Sequence, residues 1–115
     1  MSESTDMKLI TDWREWMRLS DWRIGLLMHV PMGGLRHPRV AKNLKREGAQ
    51  AGFPDWVLPV PNVRGQILFI EQKVKGGRLT EHQQRWFRLL KEAGHVCQVS
   101  YSAEETIGAV IQHLK

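Results

Sequence analysis

The stretch GFPDWVLPVPNVRGQILFIEQKVKGG (residues 52–77) holds two apolar runs separated by a short turn, and each run meets charge at one end. Asp55 opens the first run; Glu71-Gln72-Lys73 closes the second. A strand alternates its side chains between faces, so Glu71 and Lys73 project to the same side, about 6–7 Å apart along the chain. If the two runs pair as neighbouring strands, Asp55 joins them. Two carboxylates and an ammonium then share the rim of a sheet.

The rest of the chain sets the frame for this constellation. It has 115 residues, 17 Lys plus Arg against 12 Asp plus Glu, and a net charge of +5. A chain of this length fits a single domain over residues 1–115 with one modest core. Its basic balance favours an acidic partner such as nucleic acid. One cysteine, Cys97, leaves no internal disulfide. The first residues, MSESTDMKLITDW, lack the basic start and apolar core of a signal peptide, and no apolar run approaches the roughly 18 residues of a membrane span. The expectation is a soluble, cytoplasmic protein with no membrane partner.

Periodicity predicts the elements around the central stretch. Leu9, Ile10, Trp13, Trp16 and Met17 recur at helical spacing over 5–19, with Thr5 or Asp6 as the cap. RIGLLMHV (23–30) reads as a strand. PMGGLRHP (31–38) is a Pro/Gly loop, and Pro38 suits the first turn of a short helix that Gly48 ends. Strands are expected over 55–61 and 66–74, paired antiparallel across NVRG. A helix over 81–93 follows, with Thr80 and Gln83 spaced as a capping box. HVCQVSY (95–101) is the last strand, reached by a helical crossover that implies parallel pairing, and 102–115 is a final helix capped by Ser102. This predicts a mixed α/β sheet flanked by helices.

Converging carboxylates repel one another unless a cation offsets them. Mg²⁺ suits such a pair: it takes one or two protein carboxylates, keeps several waters and accepts phosphate oxygens. Asp55 and Glu71 are the candidate metal ligands, and the carbonyl of Gln72 adds a neutral oxygen. Lys73 is placed to orient a water or to stabilise charge developing on phosphorus. Each feature also has a plainer reading. Glu71 and Lys73 can be a surface ion pair, Pro54-Asp55 a turn, and Gln83 a helix cap alone. Their conjunction within about 22 residues is what favours phosphodiester chemistry.

The motifs HVPMGGLR (29–36), LKREGAQAGFPDWVLPVP (44–61) and LFIEQKVKGGRLTEHQQRWFRLLKEAGHVCQV (68–99) carry a resemblance. G-x-P-D, E-x-K, G-R-L-T-x-x-Q and E-A-G-x-x-x-x-V stand in the order of the VRR-NUC domain, the small virus-type nucleases of the PD-(D/E)xK superfamily. The resemblance covers residues 29–112. It implies a restriction-endonuclease-like core, αβββαβ plus a C-terminal helix, and divalent-metal-dependent cleavage of DNA. By that resemblance Asp55 and Glu71 match the metal-binding acids, Lys73 the catalytic lysine, and Gln83 the glutamine that faces the site from the next helix. The family usually adds an acid on the first helix, for which Asp6, Asp12 and Glu15 are the candidates. Met32 stands where the family's loop often has asparagine.

The resemblance further implies Mg²⁺, with Mn²⁺ as a substitute, and branched DNA such as a Holliday junction cut by a homodimer. Arg36, Arg39, Lys42, Lys45 and Arg46 gather on the short helix and its approach, and next to a phosphodiester site they suit phosphate contact. Trp13, Trp16, Met17 and Trp22 offer material for a subunit interface. A non-catalytic DNA-binding or interaction module with the same fold is the alternative. The intact Asp55, Glu71 and Lys73 weigh against it.

Overall fold

The structure, a computed structural model, describes residues 2–31 and 38–115. Within them the elements run α1 (Glu3–Met17), β1 (Met28–His29), α2 (Pro38–Arg46), β2 (Trp56–Leu58), β3 (Leu68–Gln72), α3 (Glu81–Glu92), β4 (Val96–Ser100) and α4 (Ala103–His113). The strands form one sheet in the order β1-β2-β3-β4. β1 pairs antiparallel with β2 and β2 antiparallel with β3, while β3 and β4 are parallel and joined by the α3 crossover. The αβββαβ order with a C-terminal helix is therefore present, with α2 inserted between β1 and β2.

β3 is buried along its whole length. An apolar run covered on both faces behaves this way. On one face Ile10 of α1 and Ala103 and Val110 of α4 pack with Trp56, Leu58, Leu68 and Ile70 in the main core. On the other face Phe69 meets Phe53 edge-on at 5.8 Å, and Phe53 meets Trp86 of α3 at 5.0 Å. Residues of alternate parity along β2 and β3 thus go to different layers, as a pleated strand requires.

Two expected elements are corrected. Residues 23–30 do not form one strand: Ile24–Leu26 is a 3₁₀ turn and only Met28–His29 pairs. Asp21 accepts the main-chain N–H of Arg23 at 3.0 Å and its carboxylate binds the Arg23 guanidinium at 2.8 Å, a local bonding pattern that starts a turn. Ile24 and Leu27 are buried and Leu26 and Met28 are exposed, so burial follows a spacing of three and not of two. The cap of α1 is also earlier than expected. Ser2 accepts from Thr5 N–H at 3.1 Å, so neither Thr5 nor Asp6 is the cap. Asp6 is buried instead, and its Oδ1 accepts Ala103 N–H at 3.2 Å at the start of α4.

The loop into β2 is fixed against α3. Gly52 has φ +86°, and an added Cβ would stand 2.5 Å from the main-chain carbon of His82 and 2.7 Å from its oxygen. Trp86 Nε1 donates to the Ala51 carbonyl at 3.0 Å. The backbone before Pro54-Asp55 therefore lies directly on the first turn of α3, and only glycine permits that approach.

Gly52→Ala is expected to cost stability both through its backbone angle and through this contact, on the order of 2–4 kcal/mol. Gly65→Ala, at φ +77° with open space around it, is the control. It should lose only the backbone part, about 1 kcal/mol. Urea denaturation of both variants checks this; equal losses would remove the close-approach role of Gly52.

Candidate active site

The register builds the site. Trp56 lies opposite Ile70 and Val57 opposite Phe69. One step further, at the open end of the ladder, Asp55 falls opposite Glu71. Directly opposed residues share a face, with Cβ atoms about 4.5–5.5 Å apart, and like charges there repel. Asp55 Oδ2 accepts the main-chain N–H of Gln72 at 2.8 Å, which ties the Asp55 carboxylate to the end of β3. Glu71 is only 3% exposed. Its Oε2 accepts from Gln83 Nε2 at 3.1 Å, and its Oε1 is buried with no hydrogen-bond partner.

Gln83 has both roles that the sequence left open. Its backbone N–H donates to Thr80 Oγ1 at 3.2 Å and its side-chain Oε1 accepts from Thr80 N–H at 2.9 Å, a complete capping box. The remaining amide hydrogens face Glu71. The start of α3 and the Glu71 carboxylate are thus held by one side chain.

Lys73 lies just past β3, where its N–H continues the parallel ladder to the Ser100 carbonyl at 2.8 Å. Its stem runs beside the following turn: a Cβ on Gly77 would lie 3.4 Å from Lys73 Cβ and 3.6 Å from Cδ. The Gln72 side chain points away from these groups. Its Oε1 accepts from Thr106 Oγ1 at 2.7 Å on the α4 side, and its Nε2 is buried without a partner. Only the main chain of Gln72 belongs to the site.

Electrostatics agrees with the geometry. Burial first, then the facing Asp55 carboxylate, push the Glu71 carboxyl up to about 9; Lys73 pulls the other way, and Glu3 adds a small upward push. Glu3, in the exposed first turn of α1, makes the smallest of these contributions. The sequence candidates go elsewhere. Asp6 caps α4, Glu15 pairs with Arg14 and Arg18 at 3.1 and 3.4 Å, and Asp12 lines a separate hollow beside His29. Glu3 was hidden because the helix was expected to start at Thr5; the Ser2-x-x-Thr5 spacing was the signal that places it inside the first turn.

Among the described residues no cluster of three or more His, Cys, Asp or Glu could hold an ion. The protein offers two opposed carboxylates, one with an unpartnered oxygen, and a main-chain carbonyl. That donor set fits a hard cation that keeps most of its waters, as Mg²⁺ does. It does not suit Zn²⁺, which prefers a closed nitrogen and sulfur cage.

Arg39, Lys42, Lys45 and Arg46 lie on α2, none of whose residues is buried. Arg36 and Met32 lie outside the described residues. Val30 N–H donates to the Asp55 carbonyl at 2.7 Å, and His29 Nδ1 lies 3.0 Å from the same oxygen, so the β1 edge also holds the Asp55 main chain.

The comparisons with known proteins agree with this architecture. The VRR-NUC domain family matches residues 11–104, and the chain belongs to that family. A solved structure described as a VRR_NUC domain protein superposes with a TM-score of 0.78 at 20% sequence identity, covering 98% of this chain and 88% of its own. At that identity the likeness establishes the fold. No curated protein matches the chain significantly. Membership implies a nuclease-type function, with DNA as its partner. No described helix is long and apolar enough to cross a membrane.

The raised Glu71 makes a pH prediction for the metal-free protein. The folded state holds a proton on Glu71 that the unfolded chain releases near 4.5. Between pH 4.5 and about 9 the unfolded state binds fewer protons, so stability falls as pH rises. The slope from this group is at most about 1.4 kcal/mol per pH unit. Glu71→Gln should lose that slope, as read by urea midpoints in chelator from pH 5.5 to 8.5; parallel wild-type and variant curves would contradict it.

Proposed function

We propose that the protein is a divalent-metal-dependent DNA endonuclease that cuts branched DNA, with Asp55, Glu71 and Lys73 at its active centre. The observation that carries this is the Asp55–Glu71 pair opposed one step beyond the β2–β3 ladder, with a buried Glu71 oxygen that has no hydrogen-bond partner. Mg²⁺, or Mn²⁺ in its place, supplies Lewis acidity toward the phosphate and the attacking water when bound. Asp55, Glu71 and the Gln72 carbonyl are the groups that hold it. Gln83 keeps the Glu71 carboxylate in one orientation. Lys73 orients the water and offsets charge growing on the phosphoryl oxygens. A bond forms from the water oxygen to phosphorus and the bond to the 3′ oxygen breaks, leaving a 5′-phosphate and a 3′-hydroxyl. The cations of α2, with Arg36 on its approach, supply phosphate contacts that set affinity. This activity belongs in the cytoplasm, where DNA is accessible.

Asp55→Asn and Glu71→Gln should each lower Mg²⁺-dependent cleavage by orders of magnitude and keep DNA binding, because each removes a ligand charge while relieving repulsion of phosphate. Lys73→Ala should fold and bind DNA, yet cleave slowly. A four-way junction, a flap and a plain duplex of one sequence are the substrates to compare. Full cleavage by either carboxylate variant, or in excess chelator, would overturn the assignment.

The reading extends to a homodimer, since a four-way junction needs two matched nicks and a two-fold dimer supplies two sites. The aromatic residues of the N-terminal region divide in support of this. Trp13 and Met17 pack on the core, while Trp16, Leu19 and Trp22 are 75%, 82% and 72% exposed. Large exposed apolar groups gathered in one short segment suit a subunit interface. Light scattering at micromolar concentration should give a dimer that Trp16→Glu with Leu19→Lys converts to a monomer. A monomeric parent at every concentration would defeat the dimer and leave the nuclease reading in place.

A further inference from the structure

A second hollow lies around the strand end from the carboxylates, between α1 and the β1–β2 edge, with a volume of about 220 Å³. That is smaller than the roughly 300–1,000 Å³ of pockets for drug-sized ligands, and suits one planar ring system. Its floor is apolar: Trp56, fully buried, donates its indole N–H to the Met7 sulfur at 3.0 Å. One wall is the exposed imidazole of His29, whose ring lies 5.3 Å from that of Trp56. The other wall is α1, which presents Ser4, Lys8 and Thr11 at helical spacing, with Asp12 beside them.

We propose that this hollow is a subsite for one unstacked nucleobase of the DNA strand being cut. The inference rests on the reading of Asp55 and Glu71 as the scissile-phosphate site, and adds how branched DNA is distinguished from duplex. Position links the two. His29 Nδ1 lies against the Asp55 carbonyl, Trp56 follows Asp55 in β2, and Ser4 follows Glu3, whose charge reaches Glu71. A neighbouring nucleotide reaches the hollow only by bending around the end of the sheet, which a base stacked inside a duplex cannot do. Unpaired bases at a branch leave the stack at least cost.

The polar groups select the kind of base. His29 Nδ1 faces a carbonyl and so carries the proton, leaving Nε2 an acceptor in the neutral ring. Thr11 spends its hydroxyl proton on the Met7 carbonyl at 2.9 Å, so its oxygen also accepts. Asp12 accepts, and Lys8 is the one cationic donor. With Ser4 able to donate or accept, the remaining three acceptors against one donor favour a base with an exocyclic amino group over thymine. One carboxylate against one ammonium gives no net charge, which suits a base and not a phosphate.

The test is binding of branched DNA in Ca²⁺, which supports binding with poor cleavage, with 2-aminopurine placed at successive positions beside the branch. One position should brighten on binding. The gain should be lost in Ser4→Phe, which fills the hollow from an exposed helix position, and in His29→Ala. Affinity for the branched DNA should fall about tenfold in these variants, with no change for a blunt duplex in Ser4→Phe. Thymine at the responsive position should weaken binding in the parent protein and not in Ser4→Phe. Bound DNA with no brightened position, or a gain that survives both substitutions, would overturn the subsite while the nuclease reading stands. Brightening with no cleavage in Mg²⁺ would keep the subsite and remove the nuclease reading.

Discussion

Two carboxylates face each other one step past the last rung of the β2–β3 ladder, and much of the fold serves to keep them there. Like charges so placed drive strands apart, so the pairing must be enforced by other contacts. Trp56 and Leu58 bury one face of β2, while Phe53, just before it, packs against Phe69. A slip of one residue would exchange the two faces of the strand, so the register is strongly fixed. Gly52 then presses the approach to Asp55 onto α3, and Gln83 reaches back from α3 to Glu71. In the metal-free chain a proton on Glu71 relieves the repulsion, and Lys73 offsets part of it.

Support also comes from the far side of the sheet. Gln72 sends its main-chain N–H to Asp55 and its side chain to Thr106 of α4. Asp6 of α1 binds the first N–H of α4. Two helices that do not touch the carboxylates are therefore tied to the strand that carries one of them. A buried polar network of this kind fixes position more than it adds stability.

The sequence displayed the site better than it displayed the N-terminal third. β2, β3 and their antiparallel pairing were legible because Asn62 and Gly65 mark a turn between two apolar runs. α3 was legible because Thr80 and Gln83 hold capping spacing, and β4 because a helix separates it from β3. Glu71 and Asp55 could be placed together only by pairing the two runs as neighbouring strands. The 3₁₀ turn at Ile24–Leu26 was not legible, because RIGLLMHV suits a strand until Asp21 is seen to bond Arg23. Glu3 was left outside the expected helix through a two-residue error in the start of α1. The burial of Asp6 depended on α4, 97 residues away, which no local pattern reports. The close contact of Gly52 with His82 is likewise a tertiary fact behind a short motif.

α2 stands apart from all of this. None of its residues is buried, so its side chains can change without opening a cavity in the core. Lys42, Lys45 and Arg46 can be replaced or respaced while the carboxylates and their register stay as they are. In the proposed reading, grip on a polyanion and the chemistry at the sheet rim are thereby written in different parts of the chain. Selection can move one along a range of charge while the other is held constant, and a single scaffold can be fitted to DNA at very different ionic strengths.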